Sequence, residues 1–166
     1  VREIVSQLSQ GKSAALVSDS GTPLISDPGF ELFRGAIREG ISFEVLPGPC
    51  AAVTALVASG LATDAFSFFG FLPPKSAARK KFLAELESCE ETLIFYESPY
   101  RLNRTLEDMR TVFGERETVV ARELTKKFEE ISRGYLSELI QKFSQRKVLG
   151  EIVVLVAGKG RKELFR

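Results

Sequence analysis

The chain contains no histidine, which removes Ser-His-Asp and Cys-His nucleophilic catalysis and every His-ligated metal site from its repertoire. Cysteine is scarce as well. Cys50 and Cys89 are the two thiols in 166 residues, too few for a disulfide framework and without zinc-ligand spacing, a usage that suits a reducing compartment. No apolar stretch approaches the roughly 18 residues that cross a bilayer, and no basic segment followed by an apolar one marks a signal peptide. The expectation is a cytoplasmic protein without a membrane partner. Excess charge is missing too: 23 Lys and Arg stand against 22 Asp and Glu, for a net charge of +1. That balance argues against a bulk nucleic-acid binder with a broad basic surface, so any RNA contact has to be local.

What is present is a soluble α/β pattern, 44% hydrophobic, long enough for one good core or two small ones. The opening Val1–Gln10 reads as a helix closed by Gly11, and the chain is expected to be a fragment that starts inside a fold. A short apolar run at 14–18 reads as a buried strand, followed by a helix from Pro28 to Glu39 and a strand over Ser42–Leu46. Pro47-Gly48-Pro49 then turns into a small-residue helix, Cys50–Ser59. This βαβα order implies a parallel sheet. Phe66–Phe71 is aromatic on both alternating faces, expected in a core or a dimer interface, and Leu72-Pro73-Pro74-Lys75 has the stiffness of a linker. The boundary is therefore set near Pro74, giving an N-terminal α/β part at 1–74 and a C-terminal mixed α/β part at 75–166. The second part reads as a charged helix to about Ser88, a strand over Thr92–Tyr96 and a helix begun by Ser98 and Pro99, with Leu102, Leu106, Met109 and Phe113 on its core face. Strands over Glu117–Leu124 and Phe128–Arg133, a helix with Leu136, Leu139, Ile140 and Phe143, and a strand over Glu151–Ala157 complete it.

Four stretches carry the chemistry. Ser18–Gly29 leaves a strand and enters a helix with too many turn residues to pack as core. Asp27 suits the N-cap, Pro28 the first helical position, and Gly21 allows close backbone approach to a ligand; the alternative is a plain strand-to-helix loop. Pro47–Ala52 leaves helix N–H groups within reach of a ligand, or simply packs helix on sheet, with Cys50 a small wall residue. Tyr96-Glu97-Ser98 sets a carboxylate at a strand-to-helix hinge, where it either handles a ligand hydroxyl or complements the helix dipole. Ala121–Lys127 brings several charges off one strand end. Two other motifs fail: Gly11-Lys12-Ser13 lacks the upstream glycine and strand of a P-loop, and Asp19 lacks the second aspartate, at Gly21, of an aspartyl phosphatase loop.

Taken in order, Ala15–Gly29, Leu46–Ala52, Gly70–Lys75, Phe95–Ser98 and Ala121–Lys126 closely resemble the ribosomal RNA small subunit methyltransferase I family of the tetrapyrrole (corrin/porphyrin) methylase superfamily. The resemblance implies two α/β domains with an S-adenosylmethionine cleft between them, and the family's first strand and loop absent here. It further implies a homodimer that methylates a cytidine ribose 2′-hydroxyl in the decoding centre of 16S rRNA on the small ribosomal subunit. Donor-binding residues by similarity are Ser18, Asp19, Ser20, Gly21, Pro23, Ile25, Asp27, Pro28, Pro49, Cys50, Ala51 and Ala52, with Tyr96, Glu97, Ser98 and Arg122 on the adenosine side. A ribose hydroxyl needs a base, and without histidine the candidates are Asp19, Glu97, Glu123 and a Lys126 of lowered pKa. No metal is required. Lys75, Arg79, Lys80 and Lys81 are candidates for RNA phosphates. Alternatives are a tetrapyrrole C-methyltransferase and a non-catalytic donor-binding and dimerisation module.

Overall fold

β-Branched and aromatic residues crowd three runs, Thr92–Glu97 (β2), Glu117–Arg122 (β3) and Ile152–Val156 (β5), which are buried almost throughout. Near-continuous apolar runs of this kind mark strands covered on both faces. In the computed structural model, which describes residues 1–160, β5 lies between β2 and β3 and runs antiparallel to both. Phe66–Phe71 (β1) adds parallel to β2 at one edge, and Glu130–Tyr135 (β4) pairs antiparallel with β3 at the other. The order is β1-β2-β5-β3-β4.

One face of the sheet carries helices Ser76–Glu85 (α4), Leu102–Phe113 (α5) and Leu136–Ser144 (α6). Leu102, Leu106, Met109 and Phe113 form the buried stripe of α5, as their spacing predicts, and meet Leu93, Phe95, Val154 and Val156 of the sheet with Leu83, Leu139 and Phe143 from the flanking helices. Ile94, Val119, Ala121, Val153 and Leu155 alternate with these positions, point the other way and are also buried. Helix Ala51–Ser59 (α3) packs over β2, β3, β4 and β5, its small Ala52 and Ala55 allowing a close seat beside Leu56. Arg133 of β4 donates to the Ala58 and Ser59 carbonyls and so closes the C-terminus of α3. The four phenylalanines of β1 divide between packing and exposure. Phe69 meets Phe82 and Phe95, and Phe68 meets Tyr96, while Phe66 and Phe71 are exposed.

By packing, the chain divides into Val1–Cys50 and a second unit from Ala51 onward, whereas the sequence reading set its boundary near Pro74. The difference arises because α3 packs over the sheet and β1 is its edge strand. The first unit holds helices Arg2–Ser9 (α1) and Phe30–Arg38 (α2), which pack together, and a Phe33–Phe43 ring contact at 5.0 Å. The strands expected at 14–18 and 42–46 are not formed, and with them the parallel arrangement expected for this half is absent. A strand needs a neighbour for its N–H and C=O groups. Neither run is paired among the described residues, and Val17, Val45 and Leu46 are exposed.

Candidate functional site

The loop between Ser18 and Gly29 winds through four residues in the left-handed region, Gly21, Leu24, Ser26 and Gly29, at φ 86, 73, 57 and 126°. Leu24 and Ser26 adopt it at a cost on the order of 1 kcal/mol each. The helix that follows starts at Phe30, with Gly29 as its N-cap and the Leu32 and Phe33 amides donating to the Gly29 carbonyl. Asp27 and Pro28 therefore lie in the loop and do not take the N-cap and first helical positions expected for them. Leu24 and Leu16 fill the space where a Gly29 side chain would sit, so the capping position, two residues later than expected, takes glycine.

Within the first unit, this loop meets the Pro47–Cys50 turn. The Thr22 amide donates to the Pro49 carbonyl at 2.8 Å and its hydroxyl reaches the same oxygen at 3.1 Å. A Cβ on Gly21 would stand 2.8 Å from that oxygen, so glycine is required where the two backbones touch. Asp19, Ser20, Ile25, Pro28 and Pro49 are exposed; Ser18, Gly21, Pro23, Asp27 and Cys50 are half-buried. Asp19 makes no ion pair among the described residues. The result is a backbone-rich surface with one exposed carboxylate, suited to an ammonium or hydroxyl group.

In the second unit, strand register brings another set together. Glu97 at the end of β2 and Arg122 at the end of β3 both stand opposite Ile152 of β5. Glu97 is 2% exposed. One of its oxygens accepts from the Ser98 amide at 2.6 Å and from Arg101 at 2.6 and 2.9 Å, and the other accepts from the Thr105 hydroxyl at 2.6 Å. This carboxylate fastens the β2 end to α5, and its burial and its donors commit it to the fold. Ser98 begins a turn, with the Arg101 amide bonded to its carbonyl, and α5 starts at Leu102 rather than at Ser98 and Pro99. Tyr96 is half-buried against Phe68 and Phe71.

Beyond Arg122 the backbone turns sharply, with Glu123 and Thr125 at φ 50 and 64°. Glu123 accepts from the Glu151 amide at 2.8 Å, and Lys126 bridges Glu151 at 2.9 Å and Glu123 at 3.2 Å. The amide and Lys126 hold the Glu123 carboxyl below its usual range, while Glu151 and Glu123 push Lys126 up. This is opposite to the lowered pKa expected for Lys126: its two carboxylate partners favour the ammonium. Gly150, at φ 93°, sits where a side chain would run into Glu123; the sequence reading passed over it, although a glycine just before the apolar run Ile152–Val156 is a punctuation signal. Next to this turn, burial alone would raise Glu130, but hydrogen bonds from Arg146, Lys142 and Ser132 outweigh it and bring the carboxyl down to about 2.

The linker Leu72–Lys75 is held by two guanidinium groups. Arg101 donates to the Leu72 carbonyl, and Arg79 to those of Pro73 and Pro74 at 3.1 and 3.2 Å. Arg79 is 2% exposed and pairs with Asp108 at 2.6 Å, which also accepts from Ser76. The RNA-phosphate role expected for Arg79 is corrected accordingly, since its guanidinium is enclosed and used within the fold. Lys75 and Lys81 are exposed, and Lys80 lies half-exposed at 3.8 Å from Asp108.

The fold and these loops define a class. The family model for tetrapyrrole (corrin/porphyrin) methylases matches residues 1–140. Among solved structures, the methyltransferase CobJ superposes with a TM-score of 0.70 at 22% identity, covering 98% of this chain and 72% of that one. Uroporphyrin-III C-methyl transferase from Thermus thermophilus, complexed with S-adenosyl homocysteine, gives 0.60 at 16% identity, covering 95% and 71%.

Curated relatives narrow the class. Ribosomal RNA small subunit methyltransferase I of Vibrio cholerae is 53% identical over 93% of this chain and 55% of its own length, that of Halalkalibacterium halodurans 47% over 97% and 56%, and that of Thermotoga maritima 43% over 96% and 71%. The chain belongs to the tetrapyrrole methylase family and, within it, to the ribosomal RNA small subunit methyltransferase I group. It spans about half the length of the first two of these relatives.

Two outcomes test the site's frame. Arg79→Ala leaves the buried Asp108 carboxylate without its main partner and lowers stability in urea by about 3–5 kcal/mol, whereas Lys81→Ala shifts it by less than about 0.5 kcal/mol. For Glu130 the folded pKa lies below its ordinary 4.5, so its stabilisation is complete above that value and is lost as pH falls towards about 2. Glu130→Gln is then less stable than the parent at neutral pH by on the order of 1 kcal/mol after solvent screening. Urea titrations at successively lower pH show the two stabilities converging.

Proposed function

We propose that the protein carrying this chain is an S-adenosylmethionine-dependent methyltransferase that modifies a cytidine ribose 2′-hydroxyl in the decoding centre of 16S rRNA, acting in the cytoplasm as a homodimer. The observation that carries the reading is the 43–53% identity, over nearly all of this chain, to relatives named ribosomal RNA small subunit methyltransferase I. The geometry supports it in the first unit. Where Thr22 and Gly21 meet the Pro49 carbonyl, the loop and turn form a backbone surface a compact polar ligand can approach, and the exposed Asp19 carboxylate suits an amino-acid ammonium or a hydroxyl.

S-Adenosylmethionine supplies an already activated sulfonium methyl, so the residues have to align a nucleophile more than activate a leaving group. In this reading the backbone of the Ser18–Pro28 loop and of the Pro49–Ala52 turn serves the methionine and ribose parts of the donor, and Tyr96, Ser98 and Arg122 are assigned to its adenosine by family resemblance. Glu97 fixes the Ser98 amide and Arg101 in place. Of the base candidates, Glu97 is committed to the fold, Glu123 is engaged by the Glu151 amide and Lys126, which weaken it as a base, and Lys126 pairs with two carboxylates that favour its ammonium. Asp19 is the carboxylate left to take the ribose proton. Lys75, Lys80 and Lys81 meet RNA phosphates.

Incubating the full-length protein with small ribosomal subunits and methyl-labelled donor, followed by nuclease digestion, is expected to place the label on a cytidine 2′-oxygen. Label on a base, or none, overturns the assignment.

A further inference from the structure

The turn between β3 and β4 ends in an aromatic ring left in water. Phe128 is 64% exposed, and the Lys127 ammonium stands 5.7 Å from its ring centroid. The segment that carries them is fastened at many points. Glu123 and Thr125 take left-handed backbone, unusual for a residue branched like threonine. The Thr125 amide donates to the Glu129 carboxylate, the Glu129 amide to the Lys126 carbonyl at 3.1 Å, and Lys126 ties the turn to Glu151 at 2.9 Å. Arg122 and Arg146 reach across to the neighbouring 145–151 turn and to Glu130, which anchors the two turns side by side. A ring projecting from a loop so firmly held is presented to a partner at low entropic cost.

The acidic groups of the loop are engaged: Glu123 and Glu151 by Lys126, and Glu129 by the Thr125 amide. Lys127 and, on the neighbouring turn, Lys147 are exposed. The loop leaves the same end of the sheet as Glu97 and Arg122. An exposed ring beside ammonium groups matches a nucleotide, the ring meeting the face of a base and the cations its flanking phosphates.

We propose that Phe128 is a stacking platform for one unpaired base of the RNA substrate, with Lys127 and Lys147 directed to the adjoining phosphates. This rests on the rRNA methylation reading. It is the kind of local contact that a chain of net charge +1 requires.

The test is the affinity of the full chain for a short fluorescein-labelled oligocytidylate, measured by anisotropy over a range of salt, with S-adenosylhomocysteine binding followed in parallel by calorimetry. Phe128→Ala and Phe128→Leu are expected to weaken RNA binding roughly tenfold or more, Phe128→Tyr to retain it, and Lys127→Gln to lower the salt slope by about one phosphate contact. Donor-analogue binding stays unchanged in all four variants. Replacing the central cytidine by an abasic residue removes the difference between the parent and Phe128→Ala. Parent-like RNA binding by Phe128→Leu, or a fall in sedimenting mass in Phe128→Ala that assigns the ring to a second copy, overturns the stacking role while leaving the methyltransferase reading intact. Failure of the parent chain to bind either the oligonucleotide or small ribosomal subunits overturns both.

Discussion

A carboxylate enclosed in protein has to be matched by donors, and in this chain the match at Glu97 organises much of the second unit. Left without partners, the buried charge would cost several kcal/mol. With the Ser98 amide, the Arg101 guanidinium and the Thr105 hydroxyl all aimed at it, the end of β2 and the first turn of α5 are locked to one another. The same guanidinium reaches the Leu72 carbonyl, so the interaction extends into the segment between β1 and α4.

That segment shows how proline stiffness and buried charge combine. Pro73 and Pro74 bring no amide hydrogens, which leaves their carbonyls as the groups to be satisfied. Arg79 satisfies both from a buried position that Asp108 makes tolerable. Three successive carbonyls are thus gripped by two arginines, each neutralised by its own carboxylate, and the exposed Lys75 follows directly. What the sequence presents as a basic helix face divides in the structure into one arginine that builds the fold and lysines that remain on the surface.

The second unit was legible in outline because its signals are local and redundant. The stripe Leu102, Leu106, Met109 and Phe113, the apolar runs of β2, β3 and β5, and the helix around Leu139 and Phe143 each state their period within a few residues. Neither the insertion of β5 between β2 and β3, nor the buried partners of Arg79 and Glu97, could be read that way, since they depend on residues brought together by the fold; a charge in a helix gives no sign of whether a carboxylate will meet it inside. The first unit was misread for the opposite reason. Leu16, Val17, Val45 and Leu46 have strand composition, but a strand exists only when its backbone is paired. At the site, the motifs picked out the loop and turn that Thr22 and Pro49 join, and missed Gly150, whose necessity comes from the Glu123 side chain folded over it.

The division of labour among the carboxylates is the central claim: Glu97 holds the frame, and the proposed base therefore lies elsewhere, at Asp19. The most direct test is the pH–rate profile of the proposed methyl transfer by the full-length protein carrying Glu97→Gln. With the base elsewhere, the variant keeps the acid limb of the parent profile even where its stability and rate are reduced. A folded Glu97→Gln protein in which that limb is lost, with the rate down by about a hundredfold or more, would contradict the account.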